Sequence, residues 1–195
     1  MNCNLRGIQE IDTNVLQIKI TLKDVKPPIW RRILLKDDIT FYQFHRVIQT
    51  VMGWEGYHLY GFDVYGEQIG EDYDDWGDFS EFKRASNVKL SDYRFEPKVK
   101  FVYVYDFGDD WVHEILVEKV LQEEKGVKYP VCIKGKRSCP PEDVGGPWGY
   151  EEFLEAINDP EHPEHEDSLE WVGDFFDPEY FDIDFANELL EGLFK

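Results

Sequence analysis

The stretch YDFGDDWVHEI, residues 105–115, gathers three aspartates and a histidine within a few positions. Asp106, Asp109, Asp110 and His113 are carboxylate and imidazole donors of the kind that hold a divalent ion or act as acid and base. His45 and His58 are the further imidazoles that could approach from a helix and a strand. A second concentration of such groups, Cys139, Glu142 and Asp143, stands in the run CPPEDVGG. Arg31, in WRR, is a possible contributor that could anchor a partner, although pairing with local acids is the plainer expectation for both arginines.

None of these groups completes a known catalytic pattern. Asp-Phe-Gly holds magnesium in protein kinases, but those need a glycine-rich phosphate loop, a strand lysine and a His-Arg-Asp loop. Here the pair His45-Arg46 continues into Val47 inside an amphipathic stretch. Cys132 and Cys139 stand too far apart, and His162 and His165 too close, for the usual spacing of structural zinc ligands. Cys139 has no base paired with it by any motif, so a structural thiol is expected. The run GGPWG has the glycines of a phosphate loop without its Lys-Ser/Thr ending, and acids stand close by on either side. No catalytic residue is assigned and no cofactor is expected. A divalent metal at the 106–113 loop, making the chain a metal-dependent hydrolase or nuclease, is the alternative reading.

The elements that must position these groups follow from hydrophobic period. Residues 15–23 alternate apolar and polar, as a half-buried strand does, and residues 29–35 form a second strand after a proline break. A helix follows, with Thr40 as N-cap, Gln43 completing a capping box, apolar residues at helical spacing and Gly53 as its stop. His58, Tyr60, Phe62 and Val64 alternate as a third strand. The segment 67–81, with seven acids and no base, reads as an acidic loop. Residues 99–105 and 111–121 then flank a five-residue loop as a hairpin. That spacing predicts Tyr105 opposite Trp111, Tyr103 opposite His113 and Phe101 opposite Ile115. In this arrangement Gly108 would supply the positive φ of the turn, and His113 would be a half-buried histidine hydrogen-bonded to a neighbour such as Tyr103.

Residues 129–134 suggest a short edge strand before a Gly/Pro-rich loop. Helical period then covers 150–158, 164–172 and 184–193, separated by two Asp-Pro breaks. The expected class is α+β: a strand-strand-helix-strand-strand-strand sheet with one packed helix, then a C-terminal helical segment. A single domain is expected over residues 1–195, with a sheet core at 13–135 and the loop and acidic helices of 136–195 packed on it.

Charge narrows the partners. The 195 residues carry 41 acids against 21 Lys and Arg, a net charge of −20. From Ser138 to Phe194 there are 18 acids and no Lys or Arg at all. Such a field repels phosphate backbones, which argues against direct nucleic-acid binding and favours a basic protein as partner. The amino-terminal residues show no signal pattern, and no apolar run approaches a membrane span, so a cytoplasmic location without membrane attachment is expected. Three cysteines, Cys3, Cys132 and Cys139, are an odd number and fit a reducing compartment.

The segments KPPIWRRILL, ITFYQFHRVIQTVMGWEGYHLYGF, YVYDFGDDWVHEI and YPVCIKGKRSCPPEDVGGPWGYEEF, taken together and in order, resemble the Ri-plasmid ORF-three-like family (plasmid pRi ORF-3-like). Some members of that family are labelled insertion-element passenger TnpR proteins. The resemblance implies an uncharacterised protein, and the label would imply an accessory protein of mobile elements. A serine resolvase needs a nucleophilic serine, arginines for the phosphoryl transition state and a basic DNA-binding segment, which this acidic chain does not offer in a recognisable arrangement. Relatives often have a second cysteine where this chain has Val144, so the thiol pair that the family would imply with Cys139 is lost. The expected function is that of a non-catalytic interaction module whose contact surfaces are the acidic loop and the acidic C-terminal helices.

Overall fold

A computed structural model describes residues 13–71, 82–173 and 176–194. The alternating start of the chain becomes β1 (Asn14–Leu22), which buries Ile18, Ile20 and Leu22 and turns Gln17, Lys19 and Thr21 away from the core. β2 (Trp30–Lys36) pairs with it antiparallel, Ile18 opposite Ile33, and by the same alternation puts Arg31 on the buried side and Arg32 on the other. α1 (Phe41–Met52) begins where the capping box requires. The Thr40 hydroxyl accepts from the Gln43 N–H at 3.1 Å, and the Gln43 side chain accepts from the Thr40 N–H at 2.9 Å. It ends at Gly53, whose φ of 93° is a left-handed conformation that costs glycine little.

Next come β3 (Tyr60–Val64), β4 (Glu67–Gly70) and β5 (Lys83–Arg84), a short 3-10 turn at Leu90–Tyr93, and then β6 (Lys100–Tyr105), β7 (Trp111–Gln122) and β8 (Val131–Lys136). Three helices close the chain: α2 (Gly146–Asn158), α3 (His165–Val172) and α4 (Ile183–Gly192). The class is α+β, with the eight strands of the described residues in one sheet in the order β5-β4-β3-β6-β7-β1-β2-β8. Every pairing is antiparallel except the short one between β4 and β5 at one edge. Among the described residues no helix is long and apolar enough to cross a membrane.

β4 and β5 are strands that the sequence pattern did not indicate. Glu67–Gly70, expected as the start of an acidic loop, instead folds back on β3 through a two-residue turn. Tyr65 and Gly66 both take positive φ there, 56° and 84°, and the Asp63 carboxylate accepts from the Gly66 N–H. Positive φ at a tyrosine is not a turn signal that composition advertises, so the strand was masked by its acids. The remainder of the expected acidic loop, residues 72–81, lies outside the described residues.

The β6–β7 hairpin has the expected register: Tyr105 faces Trp111, Tyr103 faces His113 and Phe101 faces Ile115. Its loop is built differently from expectation. Asp106 and Asp110, not Gly108, take the left-handed conformation, each with φ of 55°. The Asp106 carboxylate accepts from the Gly108 N–H at 2.9 Å, and its carbonyl accepts from the Asp110 N–H at 2.7 Å, so the aspartate closes the turn on itself.

α1 crosses the face of the sheet where the aromatic side chains stand. Phe41 meets the edge of Phe62 at 5.0 Å between centroids, Phe44 stacks on Phe62 at 5.7 Å, and Trp54, just past the helix, packs 5.9 Å from Trp111. These rings bury large apolar areas, and offset or edge contacts add to the gain. The C-terminal segment completes the core with Tyr150, Phe153 and Leu190. α4 also covers the β8 edge: the Asn187 amide accepts from the Cys132 N–H at 2.7 Å and donates to its carbonyl at 3.0 Å, as a neighbouring strand would.

Candidate functional site

Three loops meet at one end of the sheet. β3 and β6 are paired with Tyr60 opposite Tyr105, so the residues just before β3 and just after β6 are neighbours, and the Asp106 N–H donates to the Leu59 carbonyl at 2.8 Å. His58 and Asp106 are thereby brought side by side. The third loop, residues 138–145, is docked on the hairpin by Asp109, whose carboxylate accepts from the Gly145 N–H at 3.1 Å. Gly146, at φ +70°, passes so close to the Asp109 carbonyl that no side chain would fit there. This close approach delivers Glu142 and Asp143 to His58.

The His58 Nε2 is 3.1 Å from an Asp143 oxygen, 3.6 Å from an Asp106 oxygen and 3.9 Å from a Glu142 oxygen. Surrounding donors hold the other carboxylate oxygens. Tyr57 donates its hydroxyl to Asp143 at 3.0 Å, and Glu142 accepts from the Glu55 N–H at 2.9 Å and from the Tyr105 hydroxyl at 3.0 Å. Burial pushes the Glu142 carboxyl above the ordinary carboxylate value, with these two donors only partly offsetting it. Burial also pushes the Tyr105 hydroxyl up, and the neighbouring Glu142 charge reinforces it. One imidazole and three carboxylates in such a cluster can hold a cation. His58, Asp106 and Asp143 each offer one ligand atom within 4.8 Å of the other two.

The structure joins parts of the two expected clusters and separates others. Asp106, from the first, meets Glu142 and Asp143, from the second, with His58 between them. His113 does not belong there. It lies fully buried on the aromatic face of the sheet, its Nδ1 donating to the Trp111 carbonyl at 2.9 Å and its ring 5.4 Å from Trp54. As expected it is hydrogen-bonded to neighbours, the Trp111 and Tyr103 backbones, while the Tyr103 hydroxyl takes the His45 Nδ1 at 2.8 Å and the Gln49 amide at 2.9 Å. The expected Asp106–His113 loop site is thus divided by the pleat: His113 points from a strand into the core, while Asp106 lies past the strand end.

His45 is likewise a core residue, stacked on Tyr60 at 3.7 Å. Burial drives both histidines down to about 3, which keeps them neutral at physiological pH. Asp109 is the loop staple already described, and Asp110 is exposed. Cys139 does not join the His58 cluster, and burial pushes its thiol well above the ordinary value, which disfavours the thiolate a nucleophile needs.

Among the described residues Arg31 pairs with no acid, contrary to expectation. Its guanidinium donates to the carbonyls of Val51 at 2.7 Å and of Trp30 and Lys136 at 3.0 Å, and lies 3.8 Å over the Phe181 ring. It therefore ties the carboxyl end of α1 to β8 and to the C-terminal segment, an architectural role. Arg32, on the other face, pairs with Glu118 as expected. Tyr57 and Glu55 are site residues that the sequence pattern did not single out.

Beside the cluster runs a groove of about 640 Å³ between the end of α1, the 138–143 loop and the C-terminal helices. Tyr57, Trp171, Tyr180, Phe185 and Leu189 line it and are all exposed. Glu55, Glu142, Asp143 and Asp182 line it too, and Arg31 is the one cation among the described lining residues.

Residues 14–185 match the family model described as plasmid pRiA4b ORF-3-like protein. The uncharacterized protein y4hQ of Sinorhizobium fredii (strain NBRC 101917 / NGR234) is 39% identical over 160 residues, which cover 82% of this chain and 81% of that protein. The crystal structure of MM3350 from Methanosarcina mazei Go1, described as a protein of unknown function, superposes with a TM-score of 0.79 at 42% identity. It covers 88% of this chain and 97% of that one.

Proposed function

The chain belongs to the plasmid pRiA4b ORF-3-like family, and on that footing we propose that it is a binding module whose groove between α1 and the C-terminal helices grips a basic, partly apolar segment of another protein. The observation that carries this reading is the coincidence of five exposed large side chains with four carboxylates along one groove. Contiguous apolar surface rimmed by charge is how soluble proteins present contact sites. Aromatic faces also attract Lys and Arg side chains, by about 0.5–1 kcal/mol at exposed positions.

The surrounding field favours the same partner. No Lys or Arg occurs from Ser138 to Phe194, so a basic segment meets attraction along the whole C-terminal face, whereas an acidic one is repelled. Apolar contact would then supply residence time once the charges have steered the encounter.

The test uses defined peptides. Labelled 15-residue peptides combining Lys or Arg with Leu or Ile, and acidic counterparts of equal hydropathy, are titrated with the full chain by fluorescence polarisation. The basic set is expected to bind, with affinity falling as salt rises. Phe185→Ala and Glu55→Lys, both at exposed positions, should each weaken the complex about tenfold, equivalent to about 1.4 kcal/mol. Equal binding of the two peptide sets, or binding indifferent to both substitutions, would overturn the assignment.

A further inference from the structure

We propose that His58, Asp106 and Asp143 form a site for one divalent first-row metal ion, Zn²⁺ by preference. The inference does not rest on the peptide-binding reading of the adjacent groove. Its first support is spacing. Ligand atoms about 2.0–2.1 Å from a tetrahedral ion are about 3.3–3.5 Å from one another. The His58 Nε2 lies 3.1 Å from Asp143 and 3.6 Å from Asp106, on either side of that length, and the two carboxylate oxygens are within 4.8 Å of each other, close enough for one ion to draw all three together.

The second support is independent of spacing and concerns an unmet polar atom. Asp106 is largely buried, and one of its oxygens is held by the Gly108 N–H. The other lies 3.6 Å from the His58 Nε2. The His58 Nε2 is itself shut off from solvent and makes no hydrogen bond, for although Asp143 is near, the approach is not aligned for one. A buried polar atom left without a partner is destabilising, and such atoms in native structures call for a reason. Among the described residues no Lys or Arg pairs with Asp106, Glu142 or Asp143. A cation bound between them would satisfy the His58 Nε2 and balance the carboxylates.

The supporting contacts are those that metal ligands use. Asp106 is fixed through Gly108 and Asp143 through the Tyr57 hydroxyl, each leaving its second oxygen toward the imidazole. Glu142 is engaged by Glu55 and Tyr105, which leaves it as a neighbour rather than a first choice of ligand. Imidazole with carboxylates suits Zn²⁺ or Mn²⁺; Mg²⁺ and Ca²⁺ prefer six or more oxygens, and no thiolate is present to select a softer ion. Three protein ligands leave one tetrahedral position open to water or to a group from outside.

The experiment is titration of chelator-treated full-length protein with Zn²⁺ against a chromophoric chelator, with Mn²⁺, Mg²⁺ and Ca²⁺ in parallel. One tight Zn²⁺ per chain is expected, weakened at least tenfold by Asp106→Asn and by His58→Gln and unchanged by His162→Gln. Circular dichroism without metal verifies that each variant folds, and Asp143→Asn, at an exposed carboxylate, gives a third variant that does not disturb the interior. Zn²⁺ is also expected to shift the ring resonances of His58 and to leave those of His45 and His113 in place. Weak binding of several ions, indifferent to His58→Gln and Asp106→Asn, would overturn the proposal by marking a diffuse acidic surface. So would no binding at all. Binding of Mg²⁺ or Ca²⁺ in preference to Zn²⁺ would overturn the assignment of the ion.

Discussion

Burial of His45 and His113 as neutral rings is predicted to make the fold lose stability as the pH falls below 6.5. Both rings are buried and held neutral, with values lowered from 6.5 to about 3 because desolvation disfavours the imidazolium. His45 faces the Tyr60 ring, the Tyr103 hydroxyl and Gln49, with Arg46 alongside; His113 faces Trp54, Tyr103 and the Trp111 carbonyl. None of these is a carboxylate that would reward protonation. The sign follows from linkage: a depressed value means that the unfolded chain binds the proton first, so this stability is present above pH 6.5 and is lost as the pH falls toward 3. At pH 5, protonation of the unfolded chain favours unfolding by about 2 kcal/mol per histidine, about 4 kcal/mol for the pair. That is a large share of the roughly 5–15 kcal/mol that holds a domain together.

Glu142 acts in the opposite sense. Its raised value means that the fold favours the neutral carboxyl more than the unfolded chain does, so its contribution improves as the pH falls toward the ordinary carboxylate range. A Glu142→Gln background removes that term. Urea unfolding measured from pH 7.5 to 5 in this background should lose close to 4 kcal/mol, and His113→Gln should lose about half as much over the same range, whatever its absolute stability. Stability that stays flat over this range, or a slope unchanged when His113 is replaced, would refute the claim that both rings are kept neutral by burial.

Two further substitutions probe the joints that bring the loops together. Gly146→Ala places a methyl group against the Asp109 carbonyl at a φ of +70°, and should cost at least about 2 kcal/mol in denaturant unfolding while releasing the 138–145 loop from the hairpin. Asn187→Ala removes both hydrogen bonds between α4 and the β8 edge and should cost about 2 kcal/mol, with faster hydrogen exchange at Cys132 as its local signature.

Elements were legible in the sequence wherever one local signal was enough. The Thr40–Gln43 capping box and Gly53 bracket α1, and the spacing of Tyr103, Tyr105, Trp111 and His113 gives the hairpin register. β4 was not legible, because its turn relies on positive φ at Tyr65 and its residues carry loop-like acids. The approach of His58 to a loop acid was anticipated, but the other acidic and imidazole groups were assigned to the wrong company. His113 follows strand alternation into the core, whereas Asp106 belongs with His58 and Asp143, and that grouping depends on pairings distant in sequence. The one signal within reach was the β3–β6 pairing: Tyr60 opposite Tyr105 necessarily puts His58 beside the start of the hairpin loop. The arrival of Glu142 and Asp143 depends on the Gly146–Asp109 contact, which no periodicity encodes. Arg31 was misassigned for a related reason, since its partners are backbone carbonyls of three separate segments rather than an acid nearby in sequence.

The groove reading is tested most directly by a nitrogen–proton NMR titration of the full chain with the tightest of the basic, aliphatic peptides. Saturable shifts are predicted at the amides of Tyr57, Trp171, Phe185 and Leu189, which line the groove, and none at the amides of β4 and β5 on the far edge of the sheet. Shifts scattered over the acidic surface without saturation, or confined to residues away from the groove, would contradict it.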